Sequence, residues 1–193
     1  LSTEKTVYYA GEPIRATLTY EFKRPGKVKV WGGTYDRSGR INDLHWKAVR
    51  SDGKSAVDPI ADYFSWFRFG GGIGNYATVT KNNNFSQDFY INEWIRFSEG
   101  EYGVAVVSSR LGGAGSVVSN RIQIKIRNPS NKEIENAIAE YIKAMDKKES
   151  ITVNGNEFDY LHAALFLRFL HHEKAIPHYL RYMKGNEFSF QSA

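Results

Sequence analysis

The sequence predicts a mainly β fold with a C-terminal α segment, and three observations carry that reading. Ile14, Ala16, Leu18, Tyr20 and Phe22 alternate with Arg15, Thr17, Thr19 and Glu21, the period of a strand with one buried face. After Pro129 the period changes: Ile134, Ala137, Ile138, Tyr141, Ile142 and Met145 recur every three or four residues, the stripe of an amphipathic helix. Tyr and Phe contribute 12 residues each, and both favour pleated, half-buried positions.

Pro25-Gly26 ends the first long strand with a turn, and Val28 and Val30 resume the alternation against Lys27 and Lys29. Asp36-Arg37-Ser38-Gly39 is a second turn. Leu44, Trp46 and Ala48 then alternate with His45 and Lys47 up to Ser51-Asp52-Gly53. Residues 58–69 are rich in aromatics and run into Gly70-Gly71-Gly72-Ile73-Gly74, which reads as a loop. Strand patterns return at 76–80 and 85–91, separated by Asn82-Asn83-Asn84. Tyr102, Val104, Val106 and Ser108 share one face; after a loop at 112–115, Val118, Ile122, Ile124 and Ile126 share another. Short strands and turns at this spacing predict a β-sandwich over residues 1–128.

Pro129-Ser130-Asn131 stops the sheet and offers a helix N-cap. Residues 151–156 read as a break. From Phe158 to Leu170 the stripe of Leu161, Ala164, Leu165, Leu167 and Phe169 is wide, which predicts a helix buried on more than one side. A third helix is expected from about Glu173 to Met183, with Pro177 near its first turn and Gly185 after its end. The helical module therefore spans 129–185, and 186–193 is a patternless tail. Three short helices bury such a surface poorly alone: either they pack on the β module or the native chain continues.

A chain of 193 residues, 41% hydrophobic and 24% charged, has a globular balance. It has no cysteine, which excludes disulfides and thiolate metal sites and leaves the compartment unread. No apolar run approaches the ~20 residues of a transmembrane helix. The first residue is Leu1, not Met, which fits a removed signal peptide as well as a chain trimmed for other reasons. The net charge of +5 suits an anionic partner: nucleic acid, glycan or lipid. It is modest and spread along the chain, which disfavours nucleic acid. Its densest stretch, Lys23, Arg24, Lys27 and Lys29, also reads as a solvated strand edge.

Tyr9-Ala10-Gly11-Glu12-Pro13-Ile14 resembles the start of the first strand in many bacterial extracytoplasmic immunoglobulin-like domains. Residues 35–40, 58–64 and 92–97 together resemble an uncharacterised family of bacterial exported proteins in which such a sandwich precedes HEAT-like helical repeats. Residues 163–168 with Ala175-Ile176-Pro177 are similar to one degenerate HEAT-like helix pair. The resemblance covers almost the whole chain. It implies an immunoglobulin-like β-sandwich, a HEAT-like module and a periplasmic or cell-surface location, and it brings no activity.

No catalytic motif stands out. The Gly70–Gly74 run is followed by Asn75-Tyr76, where a phosphate-binding loop needs Gly-Lys-Ser/Thr; it reads as a flexible or ligand-framing loop. His171, His172 and His178 with Glu173 lack zincin spacing and suit helix termini. Asp36, Asp43, Asp58 and Asp62 are the best polar cluster. Pairing with Arg37, Arg40, Arg68 and Arg96 is the first reading, Ca²⁺ ligation the second, and acid–base catalysis the third. Ser116 misses the nucleophile elbow. Trp31, Trp46 and Trp94 read as core, with Trp66 the exception beside the glycine loop.

The function expected from the sequence is a non-catalytic extracytoplasmic module that binds a protein partner, with no cofactor. Tyr63, Phe64, Trp66, Phe67, Arg68, Gly71 and Gly72 form its expected binding face, because exposed aromatics beside glycines suit an interface hot spot. The alternative is a carbohydrate-binding module of a larger glycan-active protein, which predicts coplanar exposed aromatics on one sheet face. A hydrolase using the Asp cluster stands third.

Overall fold

The computed structural model describes residues 1–33, 41, 43–59, 74–112, 115–154 and 156–184. They make a mainly β protein with its helices in the C-terminal half. The strands before the first helix are β1 (Ser2–Thr3), β2 (Val7–Tyr9), β3 (Arg15–Tyr20), β4 (Lys27–Trp31), β5 (Leu44–Arg50), β6 (Tyr76–Thr80), β7 (Phe85–Tyr90), β8 (Gly100–Leu111), β9 (Gly115–Val118) and β10 (Ile122–Arg127). The chain divides into two compact units. One is Leu1–Thr6, Ile14–Arg96 and Gly100–Lys125; the other is Val7–Pro13, Phe97–Glu99 and Ile126–Ala193.

In the first unit, β1, β3 and β7 form a three-stranded sheet in that order. The β3–β7 register runs from Arg15↔Tyr90 to Tyr20↔Phe85. The other sheet is built on β8, which lies between β10 and β4, with β6 outside β4 and with β5 and β9 also paired to β8. β5 and β8 run antiparallel from Leu44↔Ser108 to Arg50↔Tyr102. Side chains of both sheets fill one core, with Ala16, Leu18, Val30, Val79, Val104 and Val106 all under 5% exposed. Each large aliphatic side chain buried this way contributes about 1.5–3 kcal/mol. The Tyr20 hydroxyl on β3 meets Ser108 Oγ on β8 at 2.7 Å, which joins the two sheets inside that core.

Sequence periodicity locates β3 to β8 to within a few residues. It misses β1 and β2, which are too short to show a period. It also runs Val118 and Ile122–Ile126 together, whereas β9 is exposed at every position and β10 buries Ile124. The cause is Ser119 between them. Its Oγ accepts the Val106 N–H at 3.1 Å and donates to Asn120 O at 2.7 Å, so a side chain replaces a ladder bond and breaks the strand.

The second unit contains α1 (Asn131–Lys147), β11 (Ile151–Val153), β12 (Asn156–Phe158), α2 (Tyr160–Phe169) and α3 (Ile176–Lys184), the last preceded by a 3₁₀ turn at Glu173–Ala175. Ser130 caps α1: its Oγ accepts the Glu133 N–H at 3.2 Å, and the Glu133 carboxylate accepts the Ser130 N–H at 2.8 Å. This reciprocal box satisfies two helix-end donors. α1 buries Ile134, Ala137, Ile138, Tyr141, Ala144 and Met145, nearly the predicted stripe. The predicted break at 151–156 is instead a hairpin, with Ile151↔Phe158 and Val153↔Asn156 paired and Asn154 at φ 51°. α2 buries Ala163, Ala164, Phe166 and Leu167, while Leu161 and Leu165 are half-buried; the stripe is rotated from the predicted one.

The Tyr9–Pro13 run is a turn in this second unit. Glu12 is buried, and its carboxylate accepts the Tyr9 N–H at 2.9 Å while its own N–H donates to Tyr9 O at 3.0 Å. Gly11 adopts φ +89°, and a β-carbon there would lie 2.7 Å from Leu170 Cα. No side chain larger than hydrogen fits at that position.

Candidate functional site

The expected binding residues Tyr63, Phe64, Trp66, Phe67, Arg68, Gly71 and Gly72 lie outside the described residues. Gly74, which follows them, is described. A β-carbon on Gly74 would sit 2.7 Å from Gly33 Cα and 2.8 Å from Trp31 Nε1. A β-carbon on Gly33 would collide with the Trp31 ring at 2.3 Å. Gly32 N–H also donates to Asn75 O at 2.9 Å. The sequence reading of Gly74 as loop freedom is therefore incomplete: its missing side chain lets two backbone segments touch beneath an indole.

Beside this glycine contact is Arg110, a residue that sequence reasoning passed over. It lies on β8 with 2% exposure. Its guanidinium donates to Gln87 Oε1 and to Gly33 O. It lies 5.0 Å from the centre of the Trp31 ring and 5.6 Å from that of Phe89, a cation–π clasp on two sides. Gln87 completes the frame by donating from Nε2 to Gly32 O at 3.0 Å. Burial pulls the Arg110 pKa down, and Tyr20 and Asp43 pull it back up. The same burial pushes the Tyr20 phenol up.

Phe89 is the hub of this interior. Trp46 and Trp94 meet it edge-on at 6.3 and 6.1 Å, and their own ring centres are 5.7 Å apart. Trp46 Nε1, Trp94 Nε1 and Arg110 Nε are buried without an acceptor among the described residues. Trp94 is buried and Trp31 and Trp46 are half-buried. The core reading of these three residues thus fits their surroundings.

The acidic cluster is described only at Asp43 and Asp58; Asp36, Asp62, Arg37, Arg40 and Arg68 lie outside the described residues. Asp43 accepts the Ser109 N–H at its backbone oxygen, 2.9 Å away, and Arg96 N–H donates to Val57 O at 3.2 Å. Among the described residues no three His, Asp or Glu side chains gather as a metal site. Two histidines serve helix ends: His172 Nδ1 accepts the Lys174 N–H at 3.2 Å, and His162 Nδ1 meets the Asp159 N-cap carboxylate at 2.8 Å. Ser116 Oγ pairs with Ser109 Oγ at 3.1 Å, with no base in place beside it among the described residues.

On the surface, two features of the first unit stand apart. β9 is an edge strand paired only to β8 among the described strands, and its Val117 and Val118 are 40% and 69% exposed. On the β4–β6 pair, Tyr76 is 58% exposed. No described helix is long and apolar enough to cross a membrane. No protein-family model, curated protein or solved structure matches this chain.

Proposed function

We propose that the chain is a non-catalytic, extracytoplasmic protein-interaction module, an immunoglobulin-like sandwich followed by a HEAT-like helical segment. The observation that carries the interaction reading is β9. Gly115-Ser116-Val117-Val118 has no charge and no proline, the usual guards of a free sheet edge. Its two valines stand in solvent. An unguarded β-branched edge is a template for strand addition, in which a partner's extended segment supplies the missing ladder. The mainly β architecture with C-terminal helices is compatible with the resemblance to bacterial exported proteins, from which the extracytoplasmic location comes.

The test is capture from a bacterial envelope extract on immobilised wild type beside a Val117→Lys, Val118→Lys variant. Both positions are exposed, so the variant keeps its melting temperature. A protein held by wild type and released by the variant supports the reading. Equal lanes overturn it.

A further inference from the structure

We propose that the solvent face of the β4–β6 pair, with its adjoining turns, is a docking surface for an acidic polysaccharide. Val30 on β4 and Val79 on β6 are both fully buried. Alternation therefore turns Lys27 and Lys29 outward, together with Thr78 and Thr80 across the ladder. The register pairs Lys27 with Thr80 and Lys29 with Thr78, so ammonium and hydroxyl groups sit side by side. The two lysines stand about 7 Å apart along the strand. The row ends at Tyr76, 58% exposed. A β-carbon built on Gly112 would be 3.7 Å from both Lys29 Cβ and Tyr76 Cε1, so the lysine stem and the phenol flank one small residue.

The charge continues past the strands. Lys23 and Arg24 are exposed in the β3–β4 connection, and Lys81 is exposed directly after Thr80. Among the described residues, the side chains of Arg24, Lys27, Lys29 and Lys81 have no ion-pair or hydrogen-bond partner, and that of Lys23 reaches only Glu21 at 3.9 Å. Elsewhere in this unit Arg15 is held by Asp88 and Arg50 by Asp52. Apart from Lys23, the cations of this face carry charge that no described side chain pairs, which raises the local concentration of a polyanion.

The edge of β6 that no described strand pairs is partly closed: Asn83 Nδ2 donates to Thr78 O at 3.0 Å, and Thr80 N–H donates to Asn83 O at 2.9 Å. A ligand is thereby directed to the face, not the edge. Among the described residues this face exposes one large ring, Tyr76, a platform for a single sugar, whereas single-stranded nucleic acid calls for successive stacking rings. The described turn residues 23–26 expose no large apolar side chain to enter a bilayer. An acidic glycan needs only cations, hydroxyls and one ring. This surface uses none of the β9 residues, and its experiment shares no variant with the strand-edge test.

The test measures binding of the full chain to heparin, polygalacturonate, neutral dextran, an oligothymidylate and phosphatidylserine vesicles. Expected are binding to heparin, polygalacturonate or both, none to dextran, and weaker binding to the oligonucleotide and the vesicles. Heparin against polygalacturonate distinguishes sulfate from carboxylate recognition. Lys27→Glu with Lys29→Glu should weaken glycan binding about tenfold or more. Tyr76→Ala should weaken it while leaving the salt dependence unchanged. Lys132→Glu with Lys143→Glu on α1 should change nothing. The proposal is overturned by wild-type affinity in the Lys27/Lys29 variant, by an equal loss in the α1 variant, or by a preference for oligonucleotide or vesicles.

Discussion

Gly11 and Leu170 meet backbone to backbone: a β-carbon on Gly11 would lie 2.7 Å from Leu170 Cα and 3.0 Å from Phe169 O. Gly11 also holds φ +89°. Gly11→Ala should therefore lose about 2–4 kcal/mol of stability from backbone strain and a displaced helix end. Gly53 has φ +84° with nothing within 4 Å of its built β-carbon. Gly53→Ala reports the strain alone, and denaturant titration should show it as the smaller loss. Equal losses would remove the packing contribution.

Arg110 supplies the hydrogen bonds that satisfy Gly33 O and Gln87 Oε1 in the core. Arg110→Met keeps the length and removes the donors, leaving Gln87 Oε1 without that bond and Gly33 O with only the long one from Gln87 Nε2 at 3.4 Å. The expected loss is about 2–4 kcal/mol. Adding Gln87→Leu should cost less than the two single changes together, because one network is removed once. A fully additive double variant would show that the two side chains act separately.

The Glu133 carboxylate is held down to about 2 by Arg127 first and by Ser130 next, from an ordinary value of 4.5. A depressed carboxylate stabilises the fold above its ordinary pKa and loses that contribution as pH falls through the folded value. The window is thus from about 4.5 down to about 2. The melting-temperature gap between wild type and Glu133→Gln should be constant above pH 5 and close across that window. A gap independent of pH would mean that the charge is not what Ser130 and Arg127 recognise. Ser130→Ala should separately cost about 1 kcal/mol as a lost N-cap.

At the alkaline end, burial first and the nearby Glu12 next push the Tyr9 phenol up from 10.0 to about 12. A raised phenol pKa gives stability that is complete below pH 10 and is lost as pH rises through about 12. Burial also pushes the Tyr182 phenol up to about 12, so ultraviolet titration should show a late phenolate step that shrinks by one tyrosine in Tyr9→Phe. An undiminished step in that variant would assign it to other tyrosines.

The sequence showed most of the β framework because alternation is local: Ala77 and Val79 mark β6, and Ile14 to Phe22 marks β3. It also carried unread signals. Asn154-Gly155 is a strong hairpin dipeptide, yet its flanking strands have three residues each and show no period. Arg110 continues the inward parity of Tyr102, Val104, Val106 and Ser108, and a charged residue at an inward position was the clue to the buried network. The Gly33–Gly74 contact had no such clue, because two residues far apart in the chain meet only once the sheet has formed. Lys27 and Lys29 were read as a solvated strand edge; they are exposed, but β4 lies between β8 and β6 and is not an edge. That no described side chain pairs with theirs became visible only with the neighbours in place.

β8 hydrogen-bonds to β4, β5, β9 and β10, and this has a kinetic meaning. Its central amides, at Val104 and Val106, should exchange with solvent deuterium only when the whole first unit opens, whereas those of β6 exchange through fraying at the sheet margin. β5 must wait for the chain up to β8 before it gains a partner, so productive pairing closes long loops first. Refolding of this unit should accordingly take milliseconds to seconds, roughly the pace of all-β domains. Truncation before Gly100 should leave β5 without its partner strand and β4 paired to β6 alone, and such a chain should aggregate instead of folding.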